Sequence, residues 1–189
     1  MTTAAPAVPR QVTFLGLTPA GFASLAAVLA VFLVVSLPRL QGLARLENES
    51  DACATAELFV RTLAALDETA PGAHFRTLAE RADLGRALTD GEWLEEGRLL
   101  RRHGYLFELC PPPAALQAAG LSLALTAALP ARAPRFAVRT WPWSADTGRS
   151  VFVASECGAV LAHANDDGRW RGLERRPEAR ELSGWRRLP

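Results

Sequence analysis

The longest uncharged run in the chain lies between Arg10 and Arg39. Its best helical part, AGFASLAAVLAVFLVVSL (20–37), holds ten Leu, Val or Phe residues. Residues of this kind favour membrane insertion by about 3–6 kcal/mol in sum. Eighteen helical residues rise roughly 27 Å, close to the thickness of a hydrocarbon core. Thr18 suits a helix cap, Pro19 the first helical position, and Pro38 with Arg39 the far boundary. Three structures satisfy such a stretch: a single-pass anchor, a cleaved secretory signal with 42–44 as a small-residue cut site, and a buried helix. The anchor, residues 14–38, is the reading adopted. The arginines flanking it do not set its orientation, since Arg10 precedes it and Arg39 and Arg45 follow it.

Beyond the anchor the pattern becomes helical. Over 43–69, Leu43, Leu46, Ala54, Leu58 and Leu66 fall near one face, adjoined by Phe59 and Leu63. Glu47, Glu49, Asp51 and Glu57 are expected toward solvent, and Pro71-Gly72 stops the helix. A shorter helix is expected over 75–88, with Leu78, Ala82 and Leu88 on its stripe, then a turn at Thr89-Asp90-Gly91 and further helical turns over 92–102.

The period then changes to two. Four strands are expected, at 104–109, 135–141, 149–155 and 158–164, with Ser155 to Gly158 as a tight link. Such strands make a half-exposed antiparallel sheet whose apolar face the long helix covers. Between the first two strands, 114–129 is uncharged but short and bracketed by prolines. It reads as an inserted helix or hairpin, with membrane contact as the alternative. The tail, 169–189, carries seven Arg, three Glu and two Trp, and reads as a solvated end, with binding to an acidic partner or an anionic lipid surface as the alternative. The layout is thus an N-terminal segment 1–13, the anchor 14–38, an α+β domain 39–168 and the Arg-rich tail.

Composition narrows the function. With 21 basic and 20 acidic residues, the chain has no bulk charge to drive nucleic-acid binding. All the basic residues are arginine. Residues 39–110 carry a balance of −4 and 111–189 one of +4. That is a mixed solvated surface, or an electrostatic match between the halves or between neighbouring copies.

Candidate chemistry is sparse. Trp141 and Trp143 flank Pro142 and are the binding candidates, as a flat platform for sugars or peptides. The alternative puts one indole in the core and the other at its edge. Cys110 and Cys157, at a strand end and in the last hairpin, are the disulfide candidates, with two unrelated small apolar residues as the alternative; Cys53 is left over. His74, His103 and His163 have no metal-ligand spacing, and Asn165-Asp166-Asp167-Gly168 reads as a turn rather than a calcium loop. Glu92, Glu95 and Glu96 read as a solvated face rather than an acid/base site. No catalytic residue, metal or cofactor is expected.

An apolar helix, an amphipathic continuation and a small antiparallel sheet resemble the type IV pilin and pseudopilin architecture. The C-terminal half is similar to a bacterial group of pilin-like exported proteins, through Gly104, Tyr105 and Phe107; Trp141 and Pro142; Thr147, Gly148 and Phe152; and Gly158. In that pattern Thr147-Gly148 suits a turn of unusual backbone conformation, Pro142 ends strand pairing and Gly158 takes a positive φ. The prepilin-type start is degenerate: Gly21-Phe22 is present, but Ala26 stands where those proteins carry a glutamate. The resemblance implies an α+β, pilin-like fold and a non-enzymatic structural or interaction protein. It would be single-pass in the cytoplasmic membrane, with its C-terminal domain exported to the periplasm or cell exterior. Its expected partners are the lipid bilayer through residues 14–38 and copies of itself or other envelope proteins. An envelope glycan- or protein-binding module, and an envelope enzyme, are the alternative functions.

Overall fold

The computed structural model describes residues 18–66, 74–86, 88–112, 134–177 and 185–188. The chain divides into two units, Met1–Gly42 and Leu43–Pro189. Helix α1 (Pro19–Ala64) belongs to both. It starts as its capping residues dictate, with the Thr18 hydroxyl accepting from the Gly21 N–H at 3.2 Å. It runs through Pro38 rather than ending there, although a proline has no N–H to donate to the preceding turn.

In the first unit, Phe22, Leu25, Val28 and the apolar residues up to Leu37 are exposed all round the helix. The most apolar eighteen-residue stretch of α1 has a mean hydropathy of 2.5 and is 0% buried. This is one helix with the length and composition of a single membrane span.

The second unit contains the folded core. Beside α1 stand a short helix α2 (Phe75–Arg81) and seven strands: β1 (Glu92–Leu94), β2 (Leu99–Arg102), β3 (Tyr105–Cys110), β4 (Ala137–Pro142), β5 (Ser150–Ser155), β6 (Val160–Ala164) and β7 (Arg186–Arg187). They form one antiparallel meander in chain order. The four strands expected from alternation are β3 to β6, each within two residues of its expected bounds. Gly158, with φ +78°, closes the β5–β6 link, donating its N–H to Ser155 O at 2.9 Å.

Four further expectations fail. Residues 92–102 form the hairpin β1–β2, not helix. Its tight link places Glu95, Glu96 and Gly97 at positive φ, and β2 pairs along the edge of β3. Leu99 and Leu100 are both fully buried, one on each face, which a strand inside a two-sided core requires. The helix over 75–88 ends early, because Asp83 turns left-handed at φ +53°.

Nor is the sheet half-exposed. One face takes α1 and α2 through Phe59, Leu63, Phe75, Leu78, Phe107, Val138 and Phe152. The rings of Phe59 and Phe75 lie 4.6 Å apart, and those of Phe59 and Phe107 5.9 Å. The other face is covered by the segment expected to be a solvated end: Trp170 is buried against Leu99, Leu106, Trp141 and Val151, and Trp185 packs beside them. The inserted stretch 114–129 lies outside the described residues.

The fourth failure concerns α1. Its buried residues in this unit are Ala52, Thr55, Ala56, Phe59, Val60 and Leu63. Leu43, Leu46 and Leu58, expected inward, face out. Small Ala52 and Ala56 let the helix lie close to the sheet, and two acidic residues expected in solvent bind the loops beside it. Asp51 pairs with Arg102 at 3.2 Å, and Glu49 accepts from the Arg149 N–H at 2.6 Å. A rotation that buried the leucines would break these bonds.

Candidate functional site

Gly104, Tyr105, Thr147 and Gly148 meet around the loop between β4 and β5, whereas Gly158 lies in the β5–β6 link. Gly104, at φ +76°, leaves no room for a side chain, since a β-carbon would lie 2.7 Å from the Thr147 methyl. Its carbonyl accepts from the Trp143 N–H at 2.8 Å. Gly148 is not at positive φ, so its expected role as a turn glycine is replaced by one of space. A β-carbon there would lie 1.9 Å from the Tyr105 hydroxyl oxygen. That hydroxyl donates to Ser150 O at 3.1 Å, and burial, with Glu49 adding to it, pushes its pKa up.

Helix α1 fixes the same loop. Arg45 donates to the Asp146 carbonyl at 3.1 Å and to its carboxylate at 3.2 Å. Asn48 donates to Thr147 O at 3.1 Å, and Glu49 also accepts from the Ser150 hydroxyl at 3.0 Å. Nothing in the sequence marked Arg45, Asn48 or Glu49 as loop anchors; they read as an ordinary solvated helix face.

The two tryptophans of the expected platform separate. Trp141 is 0% exposed, and its indole N–H donates to Gly172 O at 2.8 Å. It belongs to the core layer beneath the C-terminal segment. His163 meets Trp170 edge-on at 4.9 Å and lies 5.6 Å from Trp185. Trp143 is half-buried, with the Arg101 guanidinium 4.3 Å over its ring. It lines an open cleft of about 620 Å³ with the loop residues Ser144 to Asp146 on one side and Arg171 to Arg175 on the other.

The remaining candidates are tied into structural bonds. Glu92 pairs with Arg101 at 3.3 Å, and Glu95 pairs with Arg176. His103 has one ring nitrogen 2.9 Å from Asp51 and the other 2.5 Å from Asp90, leaving neither for a substrate. Arg102 joins the same two carboxylates, and its hydrogen bond holds Asp90 below the usual carboxylate range. His74 precedes α2 and makes no side-chain cap. Asn165 spends its amide on the Trp170 backbone in both directions, at 2.7 and 3.0 Å. Among the described residues no group of three His, Cys, Asp or Glu is placed to hold a metal ion.

Cys110 and Cys157, the disulfide candidates, are not bonded to each other in this structure. Cys110 ends β3 and Cys157 follows β5, with β4 between them. Two strand spacings are about 9–10 Å, wider than the roughly 4.4–6.8 Å that bonded α-carbons span. Both thiols pack into one small apolar cluster with Ala137, Val153 and Leu161.

Burial pushes the Cys110 thiol up to about 11 from its ordinary value of 9.0. The folded state therefore keeps a proton that the unfolded chain gives up first. Stability is expected to be intact below pH 9 and to fall by about 2–3 kcal/mol as pH rises from 9 to 11. Chemical denaturation across that range checks it: Cys110→Ala should flatten the slope, and an unchanged slope would contradict the assignment.

Away from the sheet, α1 presents Leu43, Leu46, Ser50, Ala54 and Leu58 along one exposed face, with Leu46 64% exposed. The chain matches no family model, no curated protein and no solved structure.

Proposed function

We propose that this chain is a membrane-anchored, non-enzymatic interaction protein of the cell envelope, pilin-like in design. Residues 14–38 cross the cytoplasmic membrane once, and the domain that follows lies in the periplasm or outside the cell. Its work is to associate with copies of itself or with other envelope proteins, as a pseudopilin-like component or an anchored assembly subunit.

The outer face of α1 carries this reading. Three leucines and an alanine stay in solvent on a helix whose opposite face is completely packed. An exposed apolar face of this kind, interrupted only by Ser50, marks a contact surface. The engagement of His103, Glu92 and Glu95 in structural ion pairs supports a role other than catalysis.

Cysteine crosslinking in native membranes tests it. In a Cys53→Ser, Cys157→Ser background, a cysteine at Ala54 is expected to give disulfide-linked dimers. Leu58→Arg should reduce them at least about tenfold while changing stability by less than about 0.5 kcal/mol, as exposed sites do. Leu63→Arg is no substitute, because Leu63 is 0% exposed and a charge there would unfold the domain. Release of the protein by alkaline carbonate, or crosslinking indifferent to Leu58→Arg, would refute the proposal.

A further inference from the structure

We infer that the cleft beside Trp143 is a binding site for a saccharide bearing a carboxylate or phosphate group. This does not depend on self-association through α1.

The cleft is preformed. One wall is the 143–146 loop, held by the Trp143 N–H on Gly104 O at 2.8 Å and by Arg45 on Asp146. The other is the 171–175 turn. Gly172 accepts from the Trp141 indole at 2.8 Å and donates to Pro142 O at 3.1 Å, and the Arg171 N–H donates to Arg175 O at 3.0 Å. Both walls therefore hang on the core strand β4 and the residues that flank it. A site that is rigid before binding loses little ordering entropy when it fills. At about 620 Å³ the cleft falls within the range of small-ligand sites.

Its chemistry selects the ligand. Arg171 and Arg175 are exposed and, among the described residues, neither has a carboxylate partner. Of the two lining carboxylates, Asp146 is paired with Arg45, leaving Glu174. The unspent charge is thus two guanidiniums against one carboxylate. Guanidinium forks bind carboxylate and phosphate oxygens in pairs. Trp143 and the partly exposed Leu173 add an apolar surface, and Ser144 a hydroxyl. A sugar ring, with an apolar face and a polar rim, matches this mixture of surfaces better than an extended peptide, which would use a line of backbone donors and acceptors.

Titration of the full chain in neutral detergent micelles tests the inference. The probes are tetragalacturonate for a carboxylate, a phosphorylated tetramannoside for a phosphate, maltotetraose as the neutral sugar and tetraglutamate as the acidic peptide. Saturable binding, read by calorimetry and tryptophan fluorescence, is expected for at least one acidic sugar. It should be about tenfold or more tighter than for maltotetraose and tetraglutamate. Which acidic sugar binds identifies the anion. The Arg171→Ala, Arg175→Ala double variant should weaken it about tenfold without moving the unfolding midpoint, and Trp143→Phe should bind while losing most of the fluorescence change. Equal binding of the neutral sugar or the peptide, no saturation by either acidic sugar below about 10 mM, or an unaffected arginine variant would overturn it.

Discussion

Gly148→Ala is expected to cost the domain about 3 kcal/mol, although it adds a single methyl group. The new β-carbon would lie 1.9 Å from the Tyr105 hydroxyl oxygen and 2.6 Å from the ring carbon that bears it. Neither side can yield. Tyr105 is 0% exposed, in the core between α1 and the sheet. The backbone at 147–150 is held by Asn48 and Glu49 of α1. Moving the tyrosine also breaks its bond to Ser150 O and leaves a buried hydroxyl without a partner. Tyr105→Phe provides the decisive comparison. Alone it should destabilise by about 1 kcal/mol, through the lost hydrogen bond. Combined with Gly148→Ala it removes the shortest clash and should restore part of the stability. Denaturant midpoints of the four proteins report the coupling, and simple additivity would show that the contact is not what constrains position 148.

Arg135→Ala is expected to have a comparable effect, about 3 kcal/mol, for a different reason. Its guanidinium closes the end of α1, donating to Ala64 O at 3.3 Å and Leu66 O at 3.4 Å. The first is a carbonyl that a helix end leaves without a partner. The same side chain pairs with Glu156 at 3.1 Å, and the Arg135 N–H donates to the other oxygen of that carboxylate at 2.9 Å. The Glu156 side chain is only 11% exposed, so removing Arg135 leaves a poorly hydrated charge unpaired. Glu156→Gln should be milder, because an amide oxygen still accepts from the backbone N–H. Adding it to Arg135→Ala should recover part of the loss. A midpoint shift below about 1 kcal/mol for Arg135→Ala would mean that α1 does not need this cap.

These two residues differ in how far local sequence foretold them. Gly148 stood out through the Thr-Gly element of the resemblance, but the reason inferred, a special backbone angle, was wrong. What matters is the ring of a residue 43 positions earlier, and no local rule carries that distance. Arg135 gave no signal, because an arginine ahead of a strand looks like any surface residue until the helix end arrives beside it. The candidate cleft was half visible. Trp143 was marked by its chemistry, whereas Arg171 and Arg175 lay in a tail whose charge suggested solvation first and an acidic partner second. That same charge obscured Trp170 and Trp185, which cover one face of the sheet.

By itself, the sequence determined what depends on short-range periodicity. It specified an apolar helix with the length of a membrane span, capped by Thr18. It also specified four strands in the right places and a hairpin at Gly158. Alternation and helical period act between neighbours a few residues apart, so they can be read without a partner. Tertiary structure alone decided which side of α1 is buried, why 92–102 pairs as strands, where Trp141 sits and what covers the second face. Each of those outcomes is set by surfaces that distant segments bring together. The leucines of α1 lost the core to two alanines because the acidic residues beside them had loops to hold.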